Sequence, residues 1–172
     1  LLRKWDPIHA ENVADHAGKI AEKMGLEPYL QELVKKAALV HDIGKITIPS
    51  KILNKDASLT QKELEQIKRH PESGYQILRS VDEYASVAMI ILSHHEWVDG
   101  SGYPEKLKGE DIPSASRIIA VADSYDAMTS GRIYTDCKTK EEAIQELRAC
   151  AGSQFDPEVV SVFIEQVLLY GE

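Results

Sequence analysis

Apolar residues recur along this chain at helical spacing, and no stretch alternates apolar with polar positions as a half-buried strand would. Ile8, Val13, Ala17, Ile20, Ala21 and Met24 fall near one face of a first helix. Asp6 and Pro7 supply its N-cap and first turn, and Gly25 its stop after Met24. A second helix is predicted from near Pro28, carrying Leu30, Leu33, Val34, Ala37 and Ala38 and ending by Gly44. Thr60 and Glu63 read as a capping box that opens a short polar helix running towards His70. Pro71 starts another segment, and Asp82 begins an apolar helix through Val87, Met89, Ile90, Ile91 and Leu92. The glycine-rich stretch 96–112 reads as a loop, followed by a largely buried helix over about 113–129. Thr139 with Glu142, and Asp156 with Pro157, cap the last two helices. With no internal repeat, low-complexity tract or linker, the pattern predicts an all-α fold: one compact multi-helix domain over 1–172.

Composition narrows the function. The chain has 172 residues, 43% of them hydrophobic, which is ample for a core, but only 6% aromatic, so aliphatic side chains must fill it. A formal charge of −8 argues against binding a nucleic acid polymer, since there is no basic excess to displace counterions. It leaves room for a small anionic substrate if bound cations reverse the local field. Cys137 and Cys150 form neither a metal-type spacing nor a disulfide framework, so a reduced, cytoplasmic setting is expected. No apolar run approaches the ~20 residues needed to span a bilayer, so this segment is not expected to insert in a membrane. Leu1 in place of Met, without a signal-peptide pattern, suggests the C-terminal piece of a longer protein, with room for a sensor or a membrane anchor in a preceding part.

The six histidines change the picture most. His41-Asp42 falls at the end of the second predicted helix, and His94-His95 where an apolar helix meets the glycine-rich loop. His70 precedes Pro71 at a helix junction, and Asp123 is a carboxylate on the apolar stretch 118–123. Imidazole and carboxylate together suit manganese, iron, cobalt, nickel or zinc, and a carboxylate can bridge two ions. Taken singly, each has a plain structural reading. Asp123 could cap a helix or pair with Arg117 or Arg132, and His16 is expected to be structural. As a set, at helix ends able to feed one cavity, they point to a metal centre at the middle of the domain.

His41-Asp42-Ile43-Gly44-Lys45 resembles the HD motif of the HD-GYP family of HD-domain phosphohydrolases. The block from His94 to Pro104, which reads HHEWVDGSGYP, resembles that family's HHExxDGxGYP block. The stretch His70-Pro71-Glu72-Ser73-Gly74 and residues 121–130 are similar to its remaining blocks, so the likeness runs from about His9 to Tyr134. The resemblance implies His9, His41, Asp42, His70, His94, His95 and Asp123 as metal ligands, with Asp42 bridging and His70, His94 and His95 serving one of two ions. It implies iron or manganese ahead of nickel, cobalt or zinc.

The implied activity is hydrolysis of cyclic di-GMP to pGpG or GMP by a metal-bridged hydroxide, two ions being a recurring device for in-line attack at phosphorus. Lys45 is the expected catalytic and substrate-binding cation, against the plain reading of a solvent-facing lysine. Arg132 is expected to contact phosphate. Tyr103 is expected either to bind substrate, stacked on a guanine or bonded to a phosphate, or to pack its loop. Asp99 is expected to fix that loop through local hydrogen bonds. Two departures stand out. Ile133-Tyr134-Thr135 replaces a frequent Pro-Tyr-Arg, which bears on substrate affinity. Trp5 stands where some relatives carry a Glu associated with a third metal, so two ions are expected; Asp6 is open to reading as a substitute ligand or as the helix cap. Other roles compatible with the sequence are hydrolysis of another nucleotide, binding of ligand or a GGDEF-type diguanylate cyclase without turnover, redox chemistry at a di-iron site, and assembly as a homodimer.

Overall fold

A computed structural model describes residues 6–130 and 137–170, and among these it is all α-helical. The helices are α1 (Pro7–Lys23), α2 (Pro28–Val40), α3 (Ser50–Leu53), α4 (Gln61–Ile67), α5 (His70–Leu78), α6 (Ala85–Leu92), α7 (Ser114–Thr129), α8 (Lys140–Ala149) and α9 (Pro157–Val162). Tighter 3₁₀ turns occur at Ile43–Thr47, Asp82–Tyr84 and Gly109–Asp111, and α9 continues into a wider π-type winding over Phe163–Leu168. None of the described helices is long and apolar enough to cross a membrane.

Local chemistry sets most boundaries as the sequence predicts. Asp6 accepts a hydrogen bond from the His9 amide at 3.2 Å, which caps α1 and closes the turn that carries His9. Gly25 ends the same helix at φ +72°, a left-handed conformation that glycine adopts without strain. Both predicted capping boxes form, Thr60 with Glu63 before α4 and Thr139 with Glu142 before α8. Asp156 caps α9 by accepting from the Glu158 and Val159 amides.

The core is a sandwich of α1, α2, α6 and α7, closed at one end by α8, α9 and the winding after it. Small residues bring the first two helices together: Val13, Ala17, Ile20 and Ala21 face Val34, Ala37 and Ala38, all essentially without exposed surface. Ile118, Ile119, Val121 and Ala122 of α7 fill the centre, and Ser116 ties α7 to α6 through a 2.7 Å bond to the Ile90 carbonyl. Phe163 is fully buried, with Tyr125 edge-on at 5.0 Å. His16 packs edge-on against both rings, the structural place expected for it. Ile48, Ile52, Leu53 and Ile67 form a separate small cluster under α3 and α4.

One boundary agrees with the sequence pattern in a way that matters for the site, and one differs. The second helix ends before Gly44, as expected, at Val40, where the chain tightens into the Ile43–Thr47 turn and lays it across the start of α5. A Cβ on Gly44 would lie 1.8 Å from the His70 carbonyl oxygen and 2.6 Å from the Gly74 amide, so only glycine permits the contact. The helix expected from Asp82 starts at Ala85, after a 3₁₀ turn.

Since backbone cannot yield as a flexible side chain does, Gly44→Ala should cost about 3 kcal/mol or more, lowering the unfolding midpoint by roughly 6–12 °C. A thermal melt checks this; an unchanged midpoint would mean that the turn and α5 separate freely.

Candidate metal centre

Five helices deliver seven side chains to one place. His9 comes from the first turn of α1, His41 and Asp42 from the end of α2, and His70 from the start of α5. His94 and His95 follow α6 directly, and Asp123 lies on α7. His9, His41, His70 and His94 are buried, while Asp42, His95 and Asp123 are partly so.

Three of these histidines are aimed in the same way. The last carbonyls of a helix lack intrahelical partners. His41 Nδ1 lies 2.6 Å from the Ala38 carbonyl, His70 Nδ1 2.8 Å from that of Ile67, and His94 Nδ1 2.6 Å from that of Ile91. A carbonyl oxygen only accepts, so each Nδ1 carries a proton, and in the neutral ring each Nε2 presents its lone pair inward. His9 is held differently: Nδ1 meets Asp126 Oδ2 at 2.5 Å and Nε2 faces Asp123 Oδ1 at 3.0 Å.

The donor atoms converge in overlapping groups, His9 with His41 and Asp123, and His70 with His94 and His95, while His41, Asp42 and His94 form a third. Asp42 stands between, with Oδ1 3.4 Å from His70 Nε2 and Oδ2 3.6 Å from His41 Nε2. His41 Nε2 is also 3.7 Å from Asp123 Oδ1, and His70 Nε2 is 3.4 Å from His94 Nε2. Two features fit a metal. Ligands at roughly 2.0–2.2 Å from one ion stand about 3 to 3.5 Å apart, close to these separations. And His41 Nε2 is buried with no hydrogen-bond partner among the described residues, while His70 and His94 turn two lone pairs on each other, a repulsion that a shared cation relieves.

Electrostatics prepares the same donor set. Burial, reinforced by the neighbouring imidazoles, holds His94 well below its ordinary pKa, and burial and His70 push His95 down to about 3. Burial also lowers His70, ahead of the opposing pull of Asp42. Burial alone would lower His41, but Asp42 and Asp123 outweigh it and raise that imidazole. Against burial, His41 and Lys45 hold Asp42 well below the carboxylate range, and His41 and His9 do the same for Asp123. At neutral pH the carboxylates are thus ionised, and the imidazoles of His70, His94 and His95 are neutral, as ligands must be.

Around the cluster, Lys45 is buried, with Nζ 2.5 Å from Asp42 Oδ2, so the solvent-facing alternative is excluded. The glycine-rich loop folds over His95. Tyr103 donates its amide to the His95 carbonyl at 3.2 Å and stacks its ring on the imidazole, centroids 5.0 Å apart, with Lys68 Nζ 5.3 Å from the ring centre. Asp99 accepts from the Ser101 amide and hydroxyl, the local role expected for it. Asp6 serves as the α1 cap, and Arg117 pairs with Asp156, not Asp123. Trp5, Arg132, Ile133, Tyr134 and Thr135 lie outside the described residues.

Two residues escape the sequence reading. Glu96 buries its carboxylate and accepts the Glu105 and Leu107 amides at 2.6 and 3.0 Å, clamping the loop. Asp126, buried on α7, holds His9. The available signal was Asp126 itself, a second carboxylate three positions after Asp123 on an apolar helix, where an unpartnered charge is costly.

The family model for the HD domain matches residues 6–159. The chain is 45% identical over 159 residues to a cyclic di-GMP phosphodiesterase of Thermotoga maritima, covering 91% of this chain and 43% of that one. It is 43% identical over 156 residues to the cyclic di-GMP phosphodiesterase response regulator RpfG of Xanthomonas campestris, covering 90% and 41%. Against a 3'3'-cGAMP-specific phosphodiesterase of Vibrio cholerae, identity is 40% over 159 residues, covering 91% and 30%. The chain therefore spans less than half the length of these relatives. In fold it is similar to an HDG"Y"P protein from Bdellovibrio bacteriovorus, with TM-score 0.76, 23% identity, and coverage of 96% of this chain and 53% of that one.

The shifted histidines fix the sign of a pH effect. Folded, metal-free protein keeps His70, His94 and His95 neutral below pH ~6.5, where an unfolded chain takes up protons. Their stabilisation is present above that pH and is lost as pH falls towards the folded values; His41, shifted up, opposes this singly. Melts of chelator-treated protein should thus fall in midpoint from pH 7.5 to pH 5, less steeply in His95→Asn. A flat profile would contradict the neutral cluster.

Proposed function

The chain belongs to the HD domain family, of the HD-GYP type, and we propose that it hydrolyses cyclic di-GMP to pGpG or GMP with two divalent metal ions. The observation that carries the proposal is the placement of Asp42, one oxygen towards His70 and the other towards His41, between two groups of converging donors. His9, His41 and Asp123 would hold one ion, His70, His94 and His95 the other, with Asp42 between them. The names of the relatives from Thermotoga and Xanthomonas support the substrate. The capping bond of Asp6 supports two ions rather than three, and iron or manganese suits the mixed imidazole and carboxylate set.

Two bound ions would supply Lewis acidity to the phosphoryl group and lower the pKa of water towards neutrality. The chain's own residues supply the rest. Lys45 is fixed on Asp42 and places its amino group inside the cluster, where it offsets charge developing on phosphoryl oxygens. His70, His94 and His95 enter neutral and Asp42 and Asp123 ionised, so these five need lose no proton to bind a metal at neutral pH. Tyr103, seated on His95 by the clamped loop, meets the substrate through its hydroxyl or its ring. The free thiols Cys137 and Cys150 agree with a cytoplasmic setting. A second substrate, a mixed cyclic dinucleotide, is favoured by the relative named for 3'3'-cGAMP.

Elemental analysis of manganese- or iron-loaded protein should find about two ions per chain, with turnover of cyclic di-GMP in the same sample. His41→Ala and Asp42→Ala should reduce turnover to background while circular dichroism shows a folded domain. Retained activity in both variants would refute the site. Two ions with turnover of 3'3'-cGAMP alone would transfer the assignment to that substrate.

A further inference from the structure

We infer that Asp126 is a positioning residue that makes the two halves of the metal centre unequal, so that the half built from His9, His41 and Asp123 takes its ion first and holds it harder. This rests on the two-ion reading above. Asp126 is only 2% exposed, and both of its oxygens are engaged. Oδ2 accepts the Nδ1 proton of His9 at 2.5 Å, while Oδ1 accepts from Asn12 Nδ2 at 2.9 Å and Ser130 Oγ at 2.6 Å. The pattern is a clamp made by two pairs at helical i, i+3 spacing: His9 and Asn12 on α1, Asp123 and Asp126 on α7. The His9 ring lies between the two carboxylates, one at each nitrogen.

This differs chemically from the way the other ligands are supported. His41, His70 and His94 lean on neutral carbonyls. A carboxylate behind an imidazole fixes its tautomer more strongly and raises the basicity of the opposite nitrogen. The same half also contains Asp123 as a donor, whereas the group of His70, His94 and His95 is made of three imidazoles with no carboxylate of its own. Asp42 is shared, one oxygen to each side, and Lys45 sits on the oxygen that faces His41. That contact takes back part of the charge on the His9 side, which leaves Asp123 and Asp126 as the decisive difference. A divalent cation arriving at the metal-free centre meets its stronger field and its better donor in the His9 half.

The test is a calorimetric titration of chelator-treated protein with Mn²⁺. Wild type should bind in two resolved steps. Asp126→Asn keeps the shape and removes the charge, and it should weaken the tighter step by about ten- to a hundredfold while leaving the other step nearly in place. His95→Asn should remove the weaker step and keep the tighter. Ser130→Ala, which leaves the carboxylate but frees one anchor, should shift the tighter step in the same direction by a smaller factor, and it serves as the test if Asp126→Asn does not fold. A merely structural Asp126 would lower the melting point of the metal-free protein and move both steps alike or neither, and either result overturns the inference. Loss of the tighter step in His95→Asn overturns it too. Wild type that binds fewer than two ions instead brings down the two-ion reading on which the inference stands.

Discussion

Three imidazoles in this protein are directed by the carbonyls that end the turns before them. His41, His70 and His94 each donate Nδ1 three residues back, to Ala38, Ile67 and Ile91. The bond does two things together: it satisfies a helix-end carbonyl, and in the neutral ring it turns the lone pair of the opposite nitrogen inward. The direction of each donor is therefore a property of the backbone. Where α2, α4 and α6 stop decides where the donors meet, and the packing of α1, α2, α6 and α7 brings those ends together.

The cost of this arrangement is paid in local electrostatics. Neutral rings crowd one another, and ionised Asp42 and Asp123 are drawn out of water. Such a grouping opposes folding and persists because the surrounding aliphatic core over-determines it. Lys45 and the carbonyl contacts relieve part of the strain within the protein itself. A bound cation would relieve the remainder, since His41 Nε2 is buried with no hydrogen-bond partner among the described residues.

Much of this was legible in the sequence. Helix starts were the clearest, because Asp6, Thr60, Thr139 and Asp156 act on amides a few residues away, and a cap is decided locally. The seven clustered donors were legible through motifs, and the structure does bring them together. What was not legible depends on partners distant in the chain. The second helix was expected to end by Gly44, and it does, but the packing of the following turn on α5 shows only in the folded chain. Asp126 looks like any helix carboxylate until α1 is laid beside α7, 117 positions away in sequence from His9. Glu96 stands beside two histidines and could pass for a third donor, yet it turns away to hold the amides of Glu105 and Leu107. Arg117 was open to pairing with Asp123, and only the folded chain shows that it goes to Asp156.

The contact at Gly44 gives the centre a fixed gauge. Main chain meets main chain there, the turn after His41 and Asp42 resting on the His70 carbonyl with no side chain between. The distance from His41 and Asp42 to His70 is therefore set by the thickness of two peptide backbones. Exchanging donors can alter which ion is preferred, but it cannot widen that gap. On the two-ion reading proposed above, selection among ions by size would be built into the polypeptide scaffold, and selection by charge and softness would be left to the side chains.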